Sequence, residues 1–230
     1  LIKLAFIENK LVANYLLHPI ILEFGGFGKK CLFSMTTMTD PEYAKQGIMT
    51  KLATEVYKKG TDELYCLVFL FANKNSRQLF TKKLNFKELT EIKELTLEYN
   101  NKKLNGIDET IEISDFDEQF DLFYKKNKKN LPKIKIPRVH SYLKWRFIEN
   151  PITKYYCYKI EDGNNLVGYF VISKYKEKCQ IVDFFIEEKE EYFIKMINTA
   201  LKFCHEKKCK TISLWINKKL MLFKFLKSLG

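Results

Sequence analysis

The stretch that decides the fold covers residues 32–86. Residues 32–60 read LFSMTTMTDPEYAKQGIMTKLATEVYKKG, and residues 63–86 read ELYCLVFLFANKNSRQLFTKKLNF. The apolar, threonine-rich run over residues 32–39 predicts a strand, ended by Asp40-Pro41 and followed by a short polar loop with one glycine, Gly47. Behind it Ile48, Met49, Leu52, Ala53 and Val56 fall at helical spacing. A second apolar run, residues 64–71, passes through Ala72-Asn73-Lys74-Asn75-Ser76 into another helical pattern over residues 79–84. The order is strand, polar loop, helix, strand, helix. Its first loop turns backbone N–H groups outward at a helix N-terminus, the usual way to hold a phosphate.

Working outward, residues 4–7 and 11–17 read as a hairpin about Glu8-Asn9-Lys10, and Phe24-Gly25-Gly26-Phe27-Gly28 as a loop with no phosphate-binding spacing. Residues 87–99 alternate Leu89, Ile92, Leu95, Leu97 and Tyr99 with polar side chains, which predicts one or two further strands; residues 100–105 are a turn-rich break. Beyond it come a short strand at 111–113 and a helix at about 116–126, capped by Ser114-Asp115-Phe116-Asp117. A second helix at 140–148 is stopped by Asn150-Pro151. Alternating runs follow at 155–160, 167–175 and 179–186, the first two joined by the hairpin turn Asp162-Gly163-Asn164. A helix at 188–207, a strand at 211–215 and a helix at 218–229 complete the chain. The second half repeats the order of the first. The expected class is α/β (α+β), with mixed, mostly antiparallel sheets, flanking helices and two modules in tandem, residues 1–100 and 101–230.

At 230 residues the chain has ample length for a buried core, and its ordinary apolar content with many aromatics excludes a disordered chain. No apolar run approaches the ~20 residues of a membrane span, and Lys3, Glu8, Asn9 and Lys10 break any secretory leader. The opening without Met and the abrupt end suggest a piece of a longer chain. The six cysteines form no C-x-x-C pair. Cys204, His205 and Cys209 would supply three soft ligands, one short of a structural zinc site, so no metal is expected. Free thiols point to a reducing, cytoplasmic compartment. The net charge of +12 suits an anionic partner. Only three arginines are present (Arg77, Arg138, Arg146), with no interleaved basic and aromatic face, which argues against nucleic acid.

These features resemble the GNAT superfamily of N-acetyltransferases, whose cofactor is acetyl-CoA. The family loop, Q/R-x-x-G-x-G/A, wraps the CoA pyrophosphate; here it reads Ala44-Lys45-Gln46-Gly47-Ile48-Met49. Gly47 matches, while Ala44 stands where the family has Gln or Arg, and Met49 where it has a small residue. Thr39-Asp40-Pro41-Glu42-Tyr43 with the following Gly-Ile-Met-x-Lys-Leu, Asn73-x-Asn75-Ser76 and Lys83-Leu84-Asn85-Phe86 are similar to a subgroup found near bacterial surface-sugar pathways. Tyr142-Leu143-Lys144-Trp145-Arg146 with Asn150-Pro151 and Tyr155, Val167-Gly168-Tyr169 and Ile181-Val182-Asp183 resemble the tandem members of that subgroup.

The resemblance implies CoA held by the 44–49 loop, by Met38 and Thr39 at the preceding strand end, and by Asn73, Asn75 and Phe80. It implies an oxyanion donor among the backbone N–H groups of residues 35–39. The thiolate acid of the family is often a tyrosine, and here Phe80 or Thr81 occupies that region. Either the acid comes from Ser76, Thr36 or Thr37, or the centre is degenerate. In the second half Glu187-Glu188-Lys189-Glu190-Glu191 precedes the helix with no glycine, so only the first half should bind CoA. Asp183 ends an apolar strand, as a base, an acceptor grip or a strand-end cap. The leading expectation is an acyl-CoA-dependent N-acyltransferase, acetyl above other acyl groups, acting on an amino group of a sugar or small metabolite. The competing readings are a Fem-type aminoacyl transferase and a degenerate module that only binds.

Overall fold

The computed structural model describes residues 1–99, 109–217 and 220–228. The chain divides into two compact units, Leu1–Leu89 with Leu131–Pro137, and Thr90–Asn130 with Arg138–Gly230.

In the first unit β1 (Ile2–Ile7) and β2 (Lys10–Phe24) form the expected hairpin, and a second tight turn at Gly25-Gly26 leads to β3 (Phe27–Thr39). A parallel neighbour requires a crossover. It is supplied by α1 (Ile48–Asp62), which returns the chain to β4 (Val68–Phe69). The apolar stripe read from the sequence is the buried face: Leu52, Ala53 and Val56 pack with Ala13, Tyr15, Leu17, Leu32 and Phe80. The run 64–71 yields only two strand residues. Tyr65 N–H bonds the Gly60 carbonyl at 3.0 Å and Leu64 takes a positive φ of 62°, so the helix exit consumes the start of that run. A short helix, α2 (Lys74–Gln78), then widens into an i→i+5 turn over Leu79–Lys83.

The second unit holds β5 (Lys93–Glu98), β6 (Ile111–Ile113), α3 (Glu118–Asn127), α4 (His140–Leu143) running into another wide turn (Lys144–Ile148), then three consecutive antiparallel strands. With β7 assigned to Ile134–Lys135 of the first unit, these strands are β8 (Tyr155–Asp162), β9 (Asn165–Tyr175) and β10 (Lys178–Ile186). Helix α5 (Glu190–Lys207) crosses to β11 (Thr211–Ile216), parallel to β10, and α6 (Met221–Ser228) follows. The sheet order is β5-β11-β10-β9-β8-β6. Its core packs Phe170, Ile172 and Ile181 under Phe193, Met196, Ile197 and Ala200 of α5. The mixed, mostly antiparallel α/β architecture is the one expected.

Two segments lie elsewhere than periodicity suggests. Residues 87–99 give one strand, and it pairs with β11 (Leu95↔Leu214, Leu97↔Ile212), so Leu95 and Leu97 serve the second core while Leu89 is exposed. The compact division therefore falls at Leu89/Thr90; the turn-rich break at 100–105 lies outside the described residues, as do the first and last positions of the final helix, 218 and 229. Residues 131–137 rejoin the first unit, where β7 pairs with β2 and the Lys135 ammonium sits 3.4 Å from Glu23, both side chains buried. Lys135 thus faces a buried carboxylate. Among the described residues no helix is long and apolar enough to cross a membrane.

Gly168 on β9 lies so close to β10 that a Cβ there would come within 2.9 Å of the Ile186 Cα. Backbone cannot yield as a side-chain tip can. Gly168→Ala should therefore cost about 2 kcal/mol through overpacking, read as a lowered melting temperature.

Candidate active site

Strand β3 hands the chain to α1 through a tightly braced loop. The Asp40 carboxylate accepts from Glu42 N–H at 3.0 Å, opening a single 3-10 turn (Pro41–Tyr43) that Pro41 pre-organises. The Lys10 ammonium, 2.9 Å away, holds the Asp40 carboxyl below the usual carboxylate range. Lys10 of β2 also lies 3.2 Å from Glu42, so one cation faces both acids ahead of the loop. Beyond Ala44, Lys45 (φ 64°) and Gly47 (φ 80°) take left-handed conformations, which turn successive backbone N–H groups toward one side. Gly47 is the N-cap of α1 and supplies no side-chain acceptor, so the first N–H groups of the helix stay open to an external one. No acidic residue lies in the first turn. The result is a helix start free of acidic side chains in its first turn, with Lys45 and Gln46 exposed at its rim.

Next to this corner the sheet opens. β3 pairs with β4 only at Leu32↔Val68 and Phe33↔Phe69, then continues alone on that edge to Thr39. The Phe33 and Phe69 rings stack at 5.0 Å and close the base of the wedge. On the opposite edge β3 carries a bulge. The β2 partners Asn14 and Leu16 face Met38 and Met35, so Tyr15 opposes both Thr36 and Thr37. Thr36 is left-handed (φ 53°), and its carbonyl accepts from Asn14 Nδ2 at 2.6 Å. Bulges withdraw backbone groups from the ladder and re-aim them. Here the withdrawn groups lie within residues 35–39.

The site residues read from the sequence separate into two groups. Thr37, Met38 and Thr39 line the bulged end of β3, and Ala44, Lys45, Gln46, Gly47, Ile48 and Met49 run continuously from it into the helix start. Asn73 caps α2: its Oδ1 accepts from Asn75 N–H at 3.0 Å and Ser76 N–H at 2.9 Å, and Ser76 Oγ accepts from Asn73 N–H at 3.2 Å. The Asn-Ser spacing is thus a capping box in this structure. Phe80 is buried in the core, edge-on to Phe86 at 5.4 Å, and the Thr81 hydroxyl donates to the Arg77 carbonyl at 2.9 Å. His205 Nδ1 lies 3.1 Å from the Tyr99 hydroxyl, and Cys204 and Cys209 are buried.

Asp183 belongs to the second unit, where β10 has a bulge at Val182 and parts from β11 after Ile181↔Leu214. The geometry echoes the first unit, but here the residue beside the bulge is bonded on both carboxylate oxygens. Asp183 Oδ1 accepts from Arg138 at 2.8 Å and Oδ2 from the Tyr169 hydroxyl at 2.9 Å. Burial lowers the Arg138 pKa, but Asp183, with Tyr169 and Tyr142 beside it, raises it on balance; burial and Asp183 together push Tyr169 well up. Helix α5 starts with Glu190 and Glu191 and has no glycine cap, so its N-terminus repels an anion.

Sequence reading missed a hydrogen-bonded trio beneath the wedge. The Ser34 hydroxyl donates to Tyr15 Oη at 3.0 Å, and the Tyr15 and Tyr57 hydroxyls bond each other. Burial raises both phenols, Tyr57 further through Tyr15, so they keep their protons at neutral pH. Three polar residues in apolar stripes at 15, 34 and 57 were the available signal.

Residues 2–88 match the family model described as the acetyltransferase (GNAT) domain. The fold of the chain resembles a probable N-acyltransferase from Enterococcus faecalis V583 (TM-score 0.62, 15% identity, 91% of this chain and 53% of that one). It also resembles a GCN5-related N-acetyltransferase from Anabaena variabilis ATCC 29413 (TM-score 0.60, 12% identity, 96% and 57%). Saccharomyces cerevisiae N-myristoyltransferase with bound myristoyl-CoA is similar as well (TM-score 0.67, 10% identity, 97% and 64%). At these identities the likeness is one of fold, and the chain spans 53–64% of the length of these three proteins. No curated protein matches the sequence.

The Arg138–Asp183 pair gives a test of its own. Asp183→Asn leaves a guanidinium without its carboxylate in a largely buried setting and should cost about 2 kcal/mol of stability. Adding Arg138→Met should recover part of that loss. An unchanged melting temperature for Asp183→Asn would show that the pair does not support the fold.

Proposed function

We propose that this protein is an acyl-CoA-dependent N-acyltransferase, acetyl-CoA being the leading donor, acting on an amino group of a sugar or small metabolite. The observation that carries the reading is the junction of a bulged, half-paired β3 with a glycine-capped, carboxylate-free α1 N-terminus. The family match over residues 2–88 supports it. In this reading the first unit is the catalytic module and the second is a tandem GNAT-like module whose helix start carries Glu190 and Glu191 and no glycine cap.

The residues present fit a CoA thioester. Backbone N–H groups of residues 46–49 would hold the pyrophosphate, with Ala44 and Lys45 beside it, and Gly47 admits close approach because it has no Cβ. Met38 and Thr39 would flank the pantetheine arm, and the exposed Asn73 and Asn75 its far side. Bound, the thioester supplies an acyl group on a sulfur leaving group. The chain then has three tasks. A backbone N–H freed by the bulge near Thr37 would stabilise the oxyanion. The wedge would orient the neutral amine against the carbonyl carbon. A hydroxyl, from Thr37 or Ser76, would return a proton to the sulfur as the amine loses one. No step is assigned to Asp183, whose oxygens are engaged by Arg138 and Tyr169.

A second reading, a module that binds CoA without turnover, is favoured by one specific observation: Phe80 is a core residue and Ser76 is tied into a helix cap. Two measurements separate the readings. Titration calorimetry should detect acetyl-CoA binding to the full chain, and Gly47→Val should weaken it at least about tenfold, since a β-branched residue resists φ 80° and fills the corner. Thiol release from acetyl-CoA with a panel of amino sugars and small amines should show turnover. Binding without release selects the second reading; absence of binding removes both.

A further inference from the structure

Two thiols of the first unit face each other outside the machinery described above. Cys31 is buried on β3, Cys66 is exposed on the segment entering β4, and their Sγ atoms are 3.3 Å apart. The surrounding backbone fixes this approach from both sides. Cys66 N–H donates to the Lys30 carbonyl at 3.0 Å, and Leu32 N–H donates to the Leu67 carbonyl at 2.9 Å. A disulfide requires the sulfurs to close by about 1.3 Å, within reach of side-chain rotation. Cys179, Cys204 and Cys209 of the second unit are all buried, so no exposed partner accompanies them.

We propose that Cys31 and Cys66 are a redox-active dithiol, in which peroxide oxidises the exposed Cys66 and the buried Cys31 resolves it to an intramolecular disulfide. The chemistry balances with hydrogen peroxide as oxidant. Cys66 Sγ attacks one peroxide oxygen, the O–O bond breaks, and sulfenic acid and one water result. Cys31 Sγ then forms the S–S bond as the sulfenic S–O bond breaks, and its proton leaves with the hydroxyl as a second water. The two thiols supply two electrons and are oxidised together. Burial, and then the neighbouring Cys66, push the Cys31 thiol up to about 12. That suits a resolving thiol that keeps its proton until the second step and leaves Cys66 as the entry point. The bond would tie the entry of β4 to β3 just ahead of the Leu32↔Val68 pair, one residue before Leu32 and two before Val68. The proposal does not depend on acyl transfer, because it is read from the thiols themselves.

The test treats the full chain with a few equivalents of hydrogen peroxide, alkylates it and maps its peptides. The expected result is loss of two of the six thiols, a mass lower by about 2 Da, and one cross-linked peptide joining Cys31 to Cys66, all reversed by dithiothreitol. Cys66→Ser, a surface change, should abolish the loss. Cys31→Ser should leave a sulfenic acid at Cys66 that dimedone traps; if that variant fails to fold, the wild-type map and Cys66→Ser still decide. Cys66 driven to sulfinic acid while Cys31 remains fully alkylated overturns the proposal. So does a thiol loss that Cys66→Ser leaves unchanged.

Discussion

A parallel strand pair cannot be closed by a tight turn, and this constraint organises the first unit. β3 and β4 run in the same direction, so the chain must cross over through α1 to connect them. The crossover fixes the helix N-terminus at the carboxyl end of β3, whatever residues lie there. Site chemistry then depends on three local choices at that corner. Gly47 leaves the helix end uncapped, Lys10 neutralises Asp40, and the bulge opposite Tyr15 frees backbone from the ladder. Each is small, and together they leave the open end of the sheet beside a helix start that carries no acid.

The second unit meets the same constraint and answers it differently. β10 and β11 are also parallel, joined by α5, with a bulge before the strands part. There the corner carries Glu190 and Glu191, and Asp183, beside the bulge, is bonded to Arg138 and Tyr169. Two glutamates replace a bare helix end. The same topology therefore carries an acid-free helix start in one unit and an acidic one in the other, so a shared topology does not by itself carry a shared function.

Much of this was legible in the sequence because the signals are local. Helical spacing from Ile48 to Val56 marked the buried stripe of α1, Gly47 marked its start, and the Glu-rich start of α5 marked the contrast between halves. Long-range facts were not legible. The alternation of Leu95 and Leu97 identifies a strand but not its sheet, since period two is the same for any partner. The pairing of Lys135 with Glu23 and of Arg138 with Asp183 joins residues distant in sequence, and nothing local announces it. The Asn73-x-x-Ser76 spacing suits both a cofactor contact and a capping box, and sequence alone leaves those alternatives equal.

The return of residues 131–137 to the first sheet bears on how the protein is made. The first unit is discontinuous: its last strand, β7, is encoded after a long stretch of the second unit. A ribosome releasing the chain from its N-terminus presents β1 to β4 and α1 well before Lys135 emerges. Until then the edge of β2 near Glu23 has neither its strand partner nor this cation. The two units are therefore interleaved in assembly, and the first reaches its final form only once part of the second has been synthesised.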